Sequence, residues 1–270
     1  MAASTLPLTI AVLVKYVPDA QFDRHLTGDQ GVLDRSESIL SELDEYALEA
    51  ALQIVEERGG QKAGNRVIAI TMGPEDAATA LKKALQIGAF EGVHLSDAAL
   101  AGSDVAGTSL ALAAVIRQLG GVDLVLCGMS STDGETSLVP AQLAARLGLP
   151  QLTFASSLEA GEATITGTRQ FGSIVEDIEV TLPAVVSVTD QANDPRYPNF
   201  KTIMAARKRP VQTMTLAELG LSPDQVGFAG AKAVVQQAAA KPPRSAGVVI
   251  TDNGDAGVKL VDFLTEQKIL

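Results

Sequence analysis

The sequence predicts an α/β fold, a parallel sheet flanked by helices, on three observations. Short apolar runs alternate with longer segments whose apolar residues recur at helical spacing, up to about residue 150. Glycine and proline stand where these segments end. The composition is 46% apolar and only 4% aromatic, and abundant Ala, Val, Leu and Gly suit helices packed closely on a sheet.

The alternation begins with residues 8–14, an apolar run that predicts a buried parallel strand. A polar loop is predicted at 18–35. A helix follows, because apolar residues recur there at helical spacing, at Leu40, Leu43, Ala47, Ala51 and Ile54.

Strands and helices then alternate at 67–72, 75–86, 92–95, 104–119, 122–127 and 136–147. Glycines mark the predicted helix ends, at Gly88, Gly120 and Gly148. A repeated strand–helix unit implies a parallel sheet with right-handed crossovers.

The pattern changes after residue 152 to short strands, predicted as an extension of the sheet at 164–169, 175–182 and 184–188, with a hairpin through 159–162. Residues 228–254 are rich in Ala, Gly, Lys and Pro and predict an arm. An amphipathic helix follows it, with apolar residues Val258, Leu260, Val261, Phe263, Leu264 and Ile269. We therefore divide the chain into an α/β domain at 1–227 and an arm at 228–270.

Composition excludes several classes of function. A net charge of −11 and a pI near 4.7 would repel a nucleic-acid backbone. The single cysteine, Cys127, cannot form an internal disulfide, and His25 and His94 have no zinc or haem spacing. The apolar run 8–14 is too short to span a bilayer and lacks the features of an export signal. We expect a cytoplasmic protein without membrane insertion.

Ligands of open parallel sheets bind beyond the carboxyl ends of strands, and three predicted loops lie there, at 15–19, 72–74 and 128–137. The third loop packs two glycines and five hydroxyl residues before a helix, which suits a nucleotide phosphate. The alternative is ordinary helix capping by Thr132, Asp133 or Thr136. The sequence has neither a G-x-G-x-x-G after a strand nor a G-x-x-x-x-G-K-[ST], so dinucleotide-type Rossmann and P-loop interpretations lose their main support.

A second candidate site is the segment 193–209, which we call the docking segment. Pro195 and Pro198 stiffen its backbone around Tyr197 and Phe200, and three adjacent cations follow at 207–209 in an acidic chain. Stiff aromatic residues beside local charge suit a partner surface. In the alternative interpretation the aromatic rings pack beneath the loop as core and the cations are a solvated helix end.

Motifs in this region resemble the small (beta) subunit of electron-transfer flavoproteins. The strand L-P-A-V-V at 182–186 leads to N-D-P-R-Y at 193–197 and to a helix I-M-A-A-R-K at 203–208. The similarity includes the first strand with its lysine and the turns T-M-G-P and D-G-E-T, and it covers nearly all of 6–222.

The resemblance implies a Rossmann-like, adenine-nucleotide-binding electron-transfer flavoprotein domain with a short β extension and a C-terminal arm. It implies half of a heterodimer that accepts electrons from primary dehydrogenases, such as the acyl-CoA dehydrogenases of fatty acid oxidation, and passes them to a respiratory-chain oxidoreductase. The large (alpha) subunit would hold most of the FAD site and receive the arm. We see no catalytic constellation in the sequence and expect an electron carrier subunit, not an enzyme.

The family's nucleotide contacts fall by position on Leu13, Lys15, Ser41, Glu42, Leu43, Asp44, Met72, Gly128, Met129, Ser130, Ser131, Thr132, Asp133, Gly134, Glu135, Thr136, Ser137, Leu138 and Val139. We favour AMP as the ligand. In the electron-bifurcating branch this subunit holds a second FAD. The motif D-G-E-T-S-L-V at 133–139 resembles the motif of that branch more closely than the motif of the AMP-binding branch. Ser41 and Leu138 depart from the usual Asn and Gln.

The resemblance also assigns dehydrogenase docking to the segment 193–209. The family's anchor, usually a Leu, aligns with Phe200. The expected docking residues are Pro195, Tyr197, Phe200, Met204, Arg207 and Lys208.

Two other functions explain less of the chain. An adenylating ligase or pyrophosphatase would need a loop of the S-G-G-x-D-S kind after the first strand, where this chain has K-Y-V-P. A stress-type nucleotide-binding homodimer leaves the docking segment and the C-terminal arm unexplained.

Overall fold

The computed structural model describes residues 6–28, 32–243 and 247–270. In chain order its strands are β1 (Thr9–Leu13), β2 (Tyr16–Pro18), β3 (Leu26–Thr27), β4 (Val32–Leu33), β5 (Ser38–Leu40), β6 (Arg66–Met72), β7 (Glu91–Leu95), β8 (Leu124–Gly128), β9 (Gln151–Ala155), β10 (Ser157–Ala160), β11 (Thr164–Phe171), β12 (Ile174–Thr181), β13 (Ala184–Val188) and β14 (Val211–Met214). The helices are α1 (Glu42–Glu57), α2 (Ala78–Ile87), α3 (Val105–Leu119), α4 (Val139–Leu147), α5 (Phe200–Ala206), α6 (Gly227–Gly230) and α7 (Ala256–Glu266).

Seven of these strands form the central sheet in the order β14-β7-β6-β1-β8-β13-β9. Each neighbouring pair is parallel. β1 lies in the middle, and the chain leaves it to one side for β6 and β7 and later returns to the other side for β8. The predicted parallel α/β fold is confirmed.

Helices cover both faces of the sheet, and the alternation of side chains along the strands builds two cores. On β1, Ile10 and Val12 join the core formed with α1 and α2. Ala11 and Leu13 join the core formed with α3 and α4. Helices cover the side chains on both faces of the central strands. Strands buried on both faces are continuous apolar runs in the sequence.

Local signals set the helix ends. The carboxylate of Asp104 caps α3 by accepting a hydrogen bond of 2.9 Å from the amide of Gly107. Gly148 ends α4 in the left-handed conformation, with φ of 68°. These are the positions at which the sequence predicts a start and an end.

Several boundaries differ from the sequence-based expectations. Leu40 belongs to β5, which pairs with β2, and α1 begins two residues later. Within the segment 18–35 the short strands β3 and β4 pair as a hairpin. The predicted extension divides in two: β9 and β13 join the central sheet, whereas β10, β11 and β12 form a separate antiparallel sheet. The edge strand β14 has no counterpart in the prediction, because its sequence VQTM is too short and too polar to signal a strand.

The C-terminal arm carries α7 as predicted, and none of the residues of this helix is buried. Val258, Leu260 and Val261 are each at least half exposed. The division of the chain at residue 227 stays a prediction, and Arg244 of the arm lies outside the described residues. No helix within the described ranges has the length and apolar character required to cross a bilayer.

Candidate functional site

A cavity of about 710 Å³ lies beyond the carboxyl ends of four adjacent strands, β7, β6, β1 and β8. Its size falls within the range of about 300–1,000 Å³ typical of small-molecule sites. The chain changes direction across the sheet between β1 and β8, and ligands of open α/β sheets bind at such a point.

Many of the predicted nucleotide contacts line this cavity, namely Leu13, Lys15, Asp44, Met72, Gly128, Met129, Ser130, Ser131, Thr136, Ser137 and Val139. The remaining predicted contacts are not among the residues that line the cavity, namely Ser41, Glu42, Leu43, Thr132, Asp133, Gly134, Glu135 and Leu138. The structure thus gathers residues from three separate loops around one space.

Sequence reasoning missed part of the cavity lining. The segment that follows β6 was predicted only as far as Gly73 and Pro74, in the loop 72–74. The lining residues that it did not include lie after that loop and after β7, namely Glu75, Asp76, Ala77, Ser96, Asp97, Ala98, Leu100, Ala101, Gly102 and Ser103. The rule that places ligands beyond carboxyl strand ends applies equally to β7. Applied to the predicted strand 92–95, that rule would have found the segment 96–103.

The loop between β8 and α4 does not cap the helix. α4 begins at Val139, and its N-cap residue, Leu138, makes no side-chain capping bond. Glu135 and Ser137 have positive φ angles of 50° and 53°, so the backbone turns there before the helix starts. The helix predicted from residue 136 is therefore too long, and capping by Thr132, Asp133 or Thr136 is wrong.

Two cations from other parts of the chain hold Asp133 of this loop. The Lys15 ammonium lies 2.8 Å from one carboxylate oxygen and the Arg35 guanidinium 2.6 Å from the other. The carboxylate itself is buried, with 3% of the side chain exposed. Burial alone would raise the pKa of Asp133, but Lys15 and Arg35 outweigh it and hold that pKa well below its usual range.

Both cations also reach the cavity, because Lys15 and Arg35 are among its lining residues. Each of their side chains is about two-fifths exposed. An anionic ligand would find two positive groups at the wall, held in place by one buried carboxylate. Cationic donors of this kind can form charge-assisted hydrogen bonds to a phosphate.

The hairpin of β3 and β4 is joined to the same loop by Arg24, which sequence reasoning did not single out. Its guanidinium donates to the carbonyl oxygen of Thr132 and lies 3.5 Å from the Glu135 carboxylate. Arg35 follows the hairpin and donates to Asp133. Arginines on both sides of the hairpin therefore fasten it beside the mouth of the cavity.

Asp44, near the start of α1, is buried in the cavity wall. One of its carboxylate oxygens accepts a hydrogen bond of 2.8 Å from the backbone amide of Lys15. Burial is the largest influence on this group and raises its pKa to about 7. The carboxyl group thus titrates near neutral pH within the site.

This burial predicts a pH-dependent effect of Asp44→Asn. The pKa in the folded chain, about 7, is above the ordinary value of 3.8, so the folded state holds the extra proton between these values. The free energy of unfolding that Asp44 contributes therefore falls as pH rises from about 4 to about 7. We expect the Tm difference between Asp44→Asn and the parent protein to shift by several degrees in favour of the variant between pH 5 and pH 8.

Thermal unfolding at a series of pH values checks this, with the exposed Asp262→Asn as the control. A Tm difference that does not change with pH would contradict a titrating Asp44.

Gly128, where β8 ends, allows α1 to approach the strand closely. A Cβ at this position would lie 2.7 Å from a carboxylate oxygen of Asp44 and 2.7 Å from the carbonyl oxygen of Leu43. Because the second neighbour is backbone, the start of α1 would have to move. We expect Gly128→Ala to lower the free energy of unfolding by roughly 1–3 kcal/mol.

Denaturant unfolding measures the effect of Gly128→Ala. The control is Gly257→Ala on α7, where an added Cβ meets no atom within 4 Å. Equal stability of the two variants would show that the close approach at Gly128 is not required.

The docking segment presents its aromatic residues to solvent. Tyr197 is 89% exposed, Phe200 81% and Met204 42%. The alternative in which these rings pack beneath the loop as core is therefore wrong. Pro195 is half-buried at the base, whereas Arg207 and Lys208 lie on the surface beyond the helix.

Arg209 does not belong to the exposed cationic group expected at 207–209. Its guanidinium donates to the carbonyl oxygens of Leu85 and Ala89, where α2 ends, and lies 5.6 Å from the ring centre of Phe90. Burial lowers the pKa of Arg209. Only two of the three cations are thus available to a partner.

An open parallel sheet with a cavity of this size at its carboxyl edge is the arrangement of nucleotide-binding α/β domains. No cluster of potential metal ligands occurs in the described part of the chain. Residues 30–219 match the family described as the electron transfer flavoprotein domain. The chain belongs to the electron transfer flavoprotein family, and it is similar to the beta subunits of that family along almost its whole length.

Two such relatives are the "Electron transfer flavoprotein subunit beta" of Mycobacterium tuberculosis and that of Mycobacterium leprae. Each is 44% identical over 263 residues, which cover 97% of this chain and 99% of the relative. The "Caffeyl-CoA reductase-Etf complex subunit CarD" of Acetobacterium woodii is 35% identical over 97% of this chain and 100% of its own length. The resemblance stated from the motifs is confirmed.

Proposed function

We propose that this chain is the docking and nucleotide-holding half of a two-chain electron carrier. In this proposal the partner is a large (alpha) subunit that holds most of the FAD. Primary dehydrogenases, among them acyl-CoA dehydrogenases, reduce that flavin, and a respiratory-chain oxidoreductase reoxidises it. The main support for the proposal is that Tyr197 and Phe200 of the docking segment are exposed to solvent in a chain of the electron transfer flavoprotein family.

The chain's own ligand in this proposal is AMP, bound in the cavity beyond β1, β6, β7 and β8. Lys15 and Arg35 would face its phosphate, and both line the cavity. The hydroxyl groups of Ser130 and Ser131 stand at the same wall. A mononucleotide bound there has a structural role, because the flavin chemistry belongs to the FAD.

A second candidate ligand is FAD, as in an electron-bifurcating carrier. The motif D-G-E-T-S-L-V at 133–139 supports this alternative, and the cavity of about 710 Å³ extends past the hydroxyl-rich loop to the segment 96–103. The number of flavins in the assembled carrier separates the two candidates.

The chain's residues bind and orient in this proposal; they do not make or break bonds. Cys127, the one cysteine, is buried beside the cavity, and burial raises the pKa of its thiol, which disfavours the nucleophilic thiolate. The exposed apolar residues of α7 are the surface that we assign to the large subunit.

The test is reduction of the assembled carrier by a donor. The chain is produced together with its large subunit, purified as a pair, and mixed anaerobically with an acyl-CoA dehydrogenase and its substrate. We expect bleaching of the flavin absorbance at a rate that saturates with carrier concentration. Failure of the two chains to pair, or turnover of a substrate by this chain alone, would refute the proposal.

A further inference from the structure

Arg196 is the one residue of the Pro195–Phe200 loop whose side chain turns inward and pairs with charge. It stands between Pro195 and the exposed Tyr197, and sequence reasoning assigned it no role. Among the described residues, the ion pairs of the docking segment are all made by Arg196. Its partners are two carboxylates on one face of α1, Glu49 and Glu56.

The guanidinium of Arg196 makes two hydrogen bonds to each of two carboxylates, an arrangement that we call the fork. Its Nε donates to Glu49 Oε2 at 2.7 Å and its Nη2 donates to Glu49 Oε1 at 2.9 Å. The same guanidinium donates to both oxygens of Glu56, at 2.5 and 2.9 Å. The backbone amide of Arg196 adds a bond of 3.2 Å to Glu49. Side chain and backbone of one residue are thus fixed to one helix.

The ion pair between Arg196 and Glu49 differs from a surface ion pair because Glu49 is buried. The Glu49 side chain is only 5% exposed, whereas that of Glu56 is 54% exposed. Loss of the Arg196 side chain would leave the Glu49 carboxylate as a buried charge without a cationic partner, with only the side-chain amide of Gln53, at 3.0 Å, and the backbone amide at position 196 donating to it. Such a loss is strongly unfavourable. Lysine could not reproduce the arrangement, because a point charge cannot make paired parallel hydrogen bonds to two carboxylates.

Other contacts order the rest of the loop on either side of Arg196. The side-chain amide of Asn193 donates to the carbonyl oxygen of Tyr46 on α1 at 3.0 Å. Asn199 and Thr202 form a reciprocal capping box that starts α5 at Phe200. Tyr197 and Phe200 therefore project from a loop attached to α1 at its base and capped at its end.

We infer that Arg196 is a positioning residue for electron transfer: its fork with Glu49 and Glu56 fixes the docking segment in its binding conformation before the dehydrogenase arrives. The inference rests on the proposed docking role of Tyr197 and Phe200. A loop ordered in advance loses less conformational entropy on binding, so its order raises affinity without adding a contact. Arg196 itself touches no reacting group.

The experiment compares Arg196→Gln with the parent protein in the heterodimer purified with the large subunit. The rate of flavin reduction by an acyl-CoA dehydrogenase is measured as a function of carrier concentration. We expect KM for the carrier to rise about tenfold with kcat nearly unchanged, because the order of the loop is lost and the flavin is not touched. Amide hydrogen exchange in residues 196–204 should accelerate in the same variant, in the absence of any dehydrogenase.

The matched control is Arg66→Gln. Arg66 also makes a two-bond pair with a glutamate, Glu91, with both distances 2.8 Å, but it lies on β6 and its side chain makes no hydrogen bond to the described residues 196–204. It should change neither KM nor the exchange of residues 196–204. Glu56→Gln is the milder variant, since it leaves the buried pair with Glu49 in place, and it should raise KM about two- to threefold. If Arg196→Gln does not fold, Glu56→Gln decides the question.

A double variant separates this inference from the proposed function. If Arg196 acts through Phe200, adding Arg196→Gln to Phe200→Ala should raise KM by less than about twofold further. An unchanged KM in Phe200→Ala would refute the docking role itself. A raised KM in Phe200→Ala with an unchanged KM in Arg196→Gln would overturn only the inference, and so would equal exchange rates in residues 196–204.

Discussion

Phe200→Ala should weaken productive docking of the dehydrogenase by at least about 2 kcal/mol, or roughly thirtyfold in KM for the carrier. The ring is 81% exposed at the first residue of α5, so its removal leaves no cavity in this chain. Its apolar surface would be buried in the complex, and a pocket on the dehydrogenase would lose its occupant. Flavin reduction by acyl-CoA dehydrogenase at varied carrier concentration measures the change.

Two variants serve as controls for this prediction. Phe200→Leu keeps an apolar tip and should retain most of the affinity. Phe22→Ala removes a ring that is 60% exposed outside the docking segment, and it should leave KM unchanged. A KM for Phe200→Ala equal to that of Phe22→Ala would show that the donor binds elsewhere.

Lys15→Gln should remove most of the bound nucleotide from the purified heterodimer. The ammonium of Lys15 lies 2.8 Å from Asp133 and 3.4 Å from the hydroxyl of Ser131. Its loss takes one of two cations from the phosphate side of the cavity and leaves the buried Asp133 with Arg35 alone. Both changes act in the same direction, and charged hydrogen bonds contribute about 1.5–3 kcal/mol, so we expect nucleotide affinity to fall roughly ten- to a hundredfold.

Nucleotide extracted by acid from equal amounts of each protein measures this effect. Lys62→Gln, an exposed lysine in the turn Gln61–Ala63, is the control for loss of one positive charge. Full nucleotide content in Lys15→Gln would place the phosphate elsewhere in the chain.

The central sheet and its helices could be predicted because the sequence features that determine them are local. Most of the buried strands are short apolar runs, and α2, α3 and α4 each end at a glycine, so both the alternation of strands and helices and several of the helix ends could be predicted from the sequence. The edge strand β14 could not be predicted in this way, because Val211–Met214 is mostly exposed and its strand conformation depends on its pairing with β7. Likewise, whether strands 157–181 join the main sheet depends on long-range pairing that no local pattern encodes.

The site was predicted where one loop carries a dense signal and missed where distant residues converge. The hydroxyl-rich loop 128–137 stood out because its side chains are adjacent in sequence. Arg35 approaches Asp133 across 98 residues, and Arg196 approaches Glu49 across 147. A lone arginine in a polar segment looks like surface, and only the fold shows that it meets a buried carboxylate.

The nucleotide content of the purified heterodimer decides whether this chain holds an adenine nucleotide of its own. Acid releases the bound nucleotides, and chromatography identifies and counts them against protein. We expect one FAD and one AMP per pair of chains, with most of the AMP lost in Lys15→Gln and the FAD retained. Two FAD per pair would contradict the AMP assignment, and a pair containing no adenine nucleotide beyond a single FAD would contradict the claim that this chain holds one.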